Sequence, residues 1–177
     1  MPNVIVNIFP SAANSLKNTA TRHAPNETGG VLTGTRQVHE NALEFNILGV
    51  LGIADLDEFK DVYFASPTEF VCTDRLGWAN FALKAVQTFG MSYIGDWHSH
   101  PNSGLTVLSP RDVHHLAQQY LLDQFNPFPP LHVLLNWRSG EINFNISANI
   151  MLGEVIVVIK PEIIENEPGG EACLKRT

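Results

Sequence analysis

The stretch "GDWHSHPNSGLTVLSPRD", residues 95 to 112, holds two histidines one residue apart, His98 and His100, followed after eight residues by Ser109 and then Asp112. Side chains in an extended strand alternate between faces, so Asp96, His98 and His100 project to one side and Trp97 and Ser99 to the other. Pro101 lacks an amide proton and stops the ladder, which leaves His100 at the end of its strand. Ser109, Pro110 and Asp112 match a helix start: a capping serine, proline at the first helical position and an acid three residues beyond the cap. Each half has a plain structural account, since a cap explains Ser109 and Asp112, and paired histidines often serve polar packing. Taken together, two imidazoles on one face and a carboxylate in a helix's first turn supply three nitrogen and oxygen ligands. Three protein ligands with a water in the fourth position is the pattern of catalytic zinc. A zinc ion of this kind lowers the pKa of its water from about 16 toward 7 and polarises carbonyls.

Such chemistry also needs a base that takes the water's proton and passes it to a leaving amine. "NETGGVLTG" offers Glu27 immediately before two glycines, whose lack of side chains leaves the carboxylate unobstructed. On the residues alone, a solvated acid closing the preceding helix is the favoured reading of Glu27.

The elements that must position these groups follow from the apolar pattern. "VIVNIF" (4–9) reads as a strand and 11–23 as a helix; 29–36, 42–52 and 61–67 read as further strands. Leu76, Trp78, Phe81, Ala82, Ala85, Val86 and Phe89 recur at helical spacing from 75 to 89, and Gly90 stands where a helix stops. "MSYIGDW" (91–97) is the strand feeding the histidines, and 110–125 the helix that starts at the cap. Residues 131–137 and 141–147 read as a hairpin around "RSG", and 154–160 as a last strand. Interleaved strands and helices predict one α/β (α+β) domain over 1–162, with 163–177 a polar, glycine-rich and mobile tail.

Composition narrows the classes. The chain has 177 residues, enough for one well-buried core, and eleven basic against eighteen acidic residues give a formal charge of -7. That balance lacks the basic patch that a phosphate backbone attracts, so no nucleic acid is expected as partner. The first 18 residues carry no charged leader, and their apolar run is too short to span a bilayer, which predicts a soluble, cytoplasmic protein without membrane attachment. Cys72 and Cys173 lie far apart with no metal-like spacing, in keeping with a reducing compartment.

A glutamate before Gly-Gly, then His-x-His-Pro, a loop and Ser-x-x-Asp resembles the JAMM (MPN-plus) zinc metalloprotease family, in particular its prokaryotic JAB-domain branch. "ETGGVLTG" and "IGDWHSHP" both read like that branch, and the similarity spans residues 1 to 150. The resemblance implies a curved mixed sheet flanked by helices and one Zn2+ per chain. His98, His100 and Asp112 would be the zinc ligands, Glu27 the general acid/base, and Ser109 the hydroxyl that steadies a tetrahedral oxyanion. It further implies hydrolysis of isopeptide or peptide bonds after the glycine tail of a ubiquitin-like or sulfur-carrier-like protein, with activating and conjugating enzymes of the same pathway as further partners. The loop after His100 is one residue longer than is usual in eukaryotic members, which bears on substrate fit more than on the metal. A non-catalytic binding or assembly module of the same fold and a zinc hydrolase of small amides are the two alternatives.

Other residues receive plainer readings. Asp96 either orients an imidazole from behind or is an ordinary strand-end acid. His23, His39, His114, His115 and His132 are read as surface or partly packed histidines. Trp78 and Trp137 are read as core residues, and Cys72 as a small packed side chain. The acids of segment 53–74 (Asp55, Asp57, Glu58 and Asp61) form a solvated loop or face a basic patch on a carrier. Gly169-Gly170 imitates a carrier's own cleavage site by coincidence.

Overall fold

A computed structural model describes residues 2–103, 107–122, 129, 131–138, 144–153 and 155–167, backbone alone for 119–122. The chain begins with strand β1 (Asn3–Ile8), helix α1 (Pro10–His23) and the long strands β2 (Gly29–His39) and β3 (Ala42–Gly52). Two 3-10 turns, Ile53–Asp55 and Asp57–Phe59, lead into the hairpin β4 (Tyr63–Ser66) and β5 (Glu69–Cys72). Then come α2 (Arg75–Phe89), β6 (Ser92–Pro101), α3 (Pro110–Leu122), β7 (Leu131–Trp137), β8 (Asn145–Leu152), β9 (Val155–Ile159) and β10 (Glu162–Ile163).

Eight strands form one mixed sheet in the order β10-β1-β3-β2-β6-β7-β8-β9, and β4 and β5 pair separately. β1 runs parallel to β3 and β10, and β6 parallel to β7; the other pairs are antiparallel. The sheet curls until β9 approaches β1. Among the described residues no helix is long and apolar enough to cross a membrane.

Each face of the sheet carries its own apolar cluster. α1 begins on Pro10 at its first turn and buries Ala12, Ala13, Leu16 and Ala20 against Ile8, Phe45, Ile47, Trp97, Val133 and Leu135. On the other face α2 buries Phe81 and Ala85 against Val31, Ile53 and Val62. Asp74 caps α2 by accepting from the Leu76 amide at 3.0 Å, and Gly90 ends it in the left-handed conformation, φ 63°.

β6 joins the two faces, and its phase decides where the histidines go. Leu32 opposes Gly95 while Thr33 opposes Tyr93, so Ile94 is an extra, bulged residue. Beyond the bulge Trp97 enters the α1-side core, and Asp96, paired with Val31, turns with His98 and His100 toward α2 and α3. Gly95 is required because a Cβ there would meet the Leu131 carbonyl oxygen at 2.0 Å.

The expected elements recur with local differences. "EFVC" (69–72) is a strand that the sequence reading left out: residues 67 and 68 turn the chain back, so the strand expected over 61–67 is one arm of a hairpin. Leu76, counted among the apolar positions of its helix, is 73 % exposed because it sits in the first turn beside the cap. α3 reaches 122, and the remainder of the helix expected to 125 lies outside the described residues. β8 starts at 145; residues 141–143 of the expected hairpin arm also lie outside. The tail expected to be mobile from 163 is anchored at its start. Glu162 and Ile163 pair with β1, the Ile164 amide donates to the Ile8 carbonyl at 3.0 Å, and Glu167 accepts from the Ser11 amide at 2.6 Å. That carboxylate satisfies an open N–H at the start of α1.

The "GG" of "ETGGVLTG" is a packing requirement. A Cβ on Gly30 would stand 1.9 Å from the Leu51 carbonyl oxygen, and one on Gly29 would stand 2.6 Å from the Phe70 ring. Gly30→Ala therefore forces β2 away from β3 and is expected to cost about 1–3 kcal/mol or more, read from urea unfolding curves. A loss within about 0.5 kcal/mol would show that the strands separate at no cost.

Candidate functional site

His98 and His100 lie on β6 with relative exposures of 4 % and 6 %, and their Nε2 atoms face each other at 2.9 Å. Asp112, in the first turn of α3, presents Oδ1 to His98 Nε2 at 3.4 Å and Oδ2 to His100 Nε2 at 3.6 Å. Glu27, just before β2, presents Oε1 to His100 Nε2 at 3.8 Å. Glu27, His98 and His100 form a group able to hold a metal ion. Every sequence-predicted site residue except Ser109 thus converges on one point through direct contacts with an imidazole.

Ser109 sits one contact further out. Its amide donates to Asp112 Oδ2 at 2.8 Å, and the Asp112 amide donates to Ser109 Oγ at 3.2 Å, the reciprocal arrangement of a capping box. The box fixes the carboxylate before anything binds. Burial pushes the Asp112 carboxyl upward, but hydrogen bonds with His100, His98 and Ser109 outweigh it and hold the group well below the usual carboxylate range.

Glu27 is 8 % exposed, which rules out the solvated-acid reading. Burial raises its carboxyl to about 7 against the lowering effect of His100; the nearby Asp112 charge adds to the rise. Three backbone bonds position it. Its own amide donates to the Ser66 carbonyl at 2.7 Å, the next amide, of Thr28, donates to Ser99 Oγ at 3.0 Å, and the Ser99 amide returns a bond to the Thr28 carbonyl at 2.8 Å. Ser99, between the two histidines and fully buried on the opposite face, thus clamps the segment that carries Glu27. A buried serine between two polar residues gave no sequence signal for this.

His132 overturns its expected role as a surface or partly packed histidine. It is buried on β7, and its Nε2 lies 2.6 Å from His98 Nδ1, with ring centroids 4.8 Å apart. Burial holds the imidazole of His98 below its ordinary pKa and that of His132 well below. The signal was present in the alternation of "LHVLLNW": His132 shares its face with Leu134 and Asn136, opposite the core residues Leu131, Val133 and Leu135. Asp96 does not take this place, because His98 Nδ1 is engaged by His132; Asp96 accepts from the Tyr93 hydroxyl at 2.9 Å.

The remaining histidines keep their plain readings. His23 meets Asp55 at 2.9 Å, His39 meets Glu44 at 2.8 Å, and His114 meets Gln118 at 2.9 Å. His115 lines a cavity of about 270 Å³ that opens beside His98 and Asp112 and is walled by Phe70, Trp78, Arg75 and His132. Cys72 also lines it, with a thiol that burial raises in pKa and that donates to the Asp74 carbonyl at 3.4 Å, so it is not an activated nucleophile. Asp55, among the acids set aside for a carrier, instead binds Thr19, Arg22 and His23 of α1. Trp137 is in the main core, whereas Trp78 is only partly buried. Gly169-Gly170 and Cys173 lie outside the described residues.

The donor types and spacings suit a small cation. Ligands about 2.0–2.1 Å from zinc stand about 3.3–3.4 Å from one another. The His98 and His100 Nε2 atoms are 2.9 Å apart, and each faces a different oxygen of Asp112, Oδ1 at 3.4 Å and Oδ2 at 3.6 Å. Buried imidazole and carboxylate donors suit zinc and neighbouring divalent metals.

The fold recurs in the solution structure of protein DSY2949 from Desulfitobacterium hafniense, with a TM-score of 0.63 and 16 % identity over 92 % of this chain and 94 % of that one. No curated protein matches the chain. Residues 11–146 match the family described as prokaryotic homologs of the JAB domain, a span that takes in Glu27, both histidines of β6, Ser109 and Asp112. With more than half its length matched and the same residues drawn to one point, the chain belongs to the prokaryotic homologs of the JAB domain.

Proposed function

We propose that the protein is a zinc-dependent isopeptidase or peptidase that cuts after the C-terminal glycine tail of a ubiquitin-like or sulfur-carrier-like protein. The observation that carries this reading is the convergence of His98, His100 and Asp112 within 2.9–3.6 Å of one another, with Glu27 3.8 Å from His100. Family membership supports it, since JAB-domain proteins include metalloproteases.

In this reading His98, His100 and Asp112 hold the ion. Zinc bound there supplies polarisation of a carbonyl and acidification of a water. Glu27, with its carboxyl raised to about 7, accepts the proton of the attacking water and hands it to the departing amine. Its Oε1 stands beside His100, within reach of a water at the centre in this reading. Ser109 uses its hydroxyl as acceptor toward the Asp112 amide, so its own proton is available to a developing oxyanion. The cavity beside His98 and Asp112, lined by Phe70 and Cys72 of the β4–β5 hairpin and by Arg111 and His115 of α3, is where an extended, side-chain-free tail such as Gly-Gly would lie in this reading.

Metal content decides the first part. Freshly purified parent is expected to carry about one zinc per chain by mass spectrometry, and His98→Ala with His100→Ala to carry none. A folded, metal-free parent that takes up no added zinc sinks the metallopeptidase and moves the protein to a binding or assembly module. For the chemistry, Glu27→Gln is expected to keep its zinc and lose about 10²–10⁴-fold in turnover of a ubiquitin-like carrier fused through a Gly-Gly tail. Cleavage at the parental rate would remove Glu27 as the base. Short peptide amides cut as fast as the folded carrier would point to a small-amide hydrolase instead.

A further inference from the structure

His98 has two ring nitrogens and both are engaged, Nε2 toward His100 and Asp112 and Nδ1 toward His132. A neutral imidazole carries one proton. When Nε2 gives its lone pair to a metal, that proton must stand on Nδ1, where its acceptor is the Nε2 atom of His132 at 2.6 Å. Metal-bound histidines are commonly oriented from behind by a carboxylate or a backbone carbonyl. Here the candidate carboxylate, Asp96, is bonded to Tyr93, and the acceptor facing Nδ1 is a second neutral imidazole.

We infer that His132 is a positioning residue of the metal centre: its Nε2 accepts the Nδ1 proton of His98 and so fixes both the tautomer and the ring plane of that ligand. The role rests on the metal-site reading given above. Its geometric support is independent of any ion. The two rings are buried on adjacent parallel strands, with β6 and β7 in a register that pairs Asp96 with His132 and His98 with Leu134. His132 therefore stands two residues along β7 from Leu134, the partner of His98, and the short contact is made diagonally across the ladder, at an interplanar angle of 50°.

The arrangement also constrains His132 itself. With Nε2 accepting, its own proton lies on Nδ1, an atom that is buried and has no hydrogen-bond partner among the described residues. Such an unpaired buried group calls for an explanation. Asn149, across the ladder on β8, donates its side-chain amide to the backbone carbonyl of His132 at 3.3 Å, and the ring itself packs on His98.

The test compares His132→Leu, which keeps bulk and removes the acceptor, with His132→Gln, which restores an acceptor oxygen. Zinc affinity is measured by competition with a chromogenic chelator, and the metal-free fold by circular dichroism and thermal unfolding. The expected result is a dissociation constant raised about 10–100-fold in His132→Leu and restored to within about threefold of the parent in His132→Gln. Equal affinities in parent and His132→Leu overturn the role while leaving the metal centre intact; a parent that takes up no zinc overturns both. Should His132→Leu fail to fold, the parent itself decides. Imidazole nitrogen-15 spectra of the zinc-loaded protein are expected to show His98 protonated at Nδ1 and His132 bare at Nε2. The opposite tautomer of His132 overturns the inference.

Discussion

The arrangement of the whole site depends on two imidazole Nε2 atoms held 2.9 Å apart where water scarcely reaches. Nitrogen lone pairs repel at that distance unless a proton or a cation lies between them. Burial disfavours the proton at His98, and Asp112 opposes that effect only in part. The fold thus maintains a place that is short of positive charge, ringed by two carboxylates and two imidazoles, and closed to solvent on the β6 side. A divalent cation held as proposed would answer both imidazoles and Asp112 at once, whereas a single shared proton satisfies one pair.

Holding those rings requires the strand beneath them to be immovable. β6 lies between β2 and β7 in the middle of the sheet, and the bulge at Ile94 rotates its phase so that Trp97 is driven into the core as His98 turns outward. Ser99 then extends the same strand's control to Glu27 through its bonds with Thr28. One segment of four residues therefore sets the positions of three of the converging groups. The hydrophobic burial of Trp97, at 1 % exposure, supplies the resistance to any rotation that would separate them.

The sequence made the centre legible because its signals were local. His98 and His100 alternate within a strand, and Ser109, Pro110 and Asp112 spell a cap, so the faces and the helix start followed from short-range geometry. Glu27 was ambiguous for the opposite reason. Its burial comes from the hairpin β4–β5 folding over it and from Ser99, 72 positions away in the chain, and neither contact leaves a mark near residue 27. β5 was missed because "EFVC" is short and becomes a strand only by pairing with "YFAS". His132 was passed over because the pairing of β7 with β6 is parallel and crosses α3. The alternation of "LHVLLNW" gives the face of His132, but the register that brings it to His98 is set by sheet assembly. The docking of Glu167 on α1 is of the same kind, since a polar tail reads as solvated until its partner N–H is known.

Asp112 brings the stability of the fold and the chemistry of the site into a single side chain. Its Oδ2 is bound by the Ser109 amide at the start of α3, where the helix dipole favours negative charge, and the same carboxylate faces both imidazoles. The carboxylate is thus fixed by secondary structure before any ion arrives, just as His98 and His100 are fixed by β6. In small zinc domains the metal assembles its own ligands and folding waits for it. Here two apolar clusters, one on each face of the sheet, hold the strands together without reference to the site. A cation bound as proposed would lose little to ordering its ligands. That division takes fold energy from the core and ligand geometry from a strand and a helix cap.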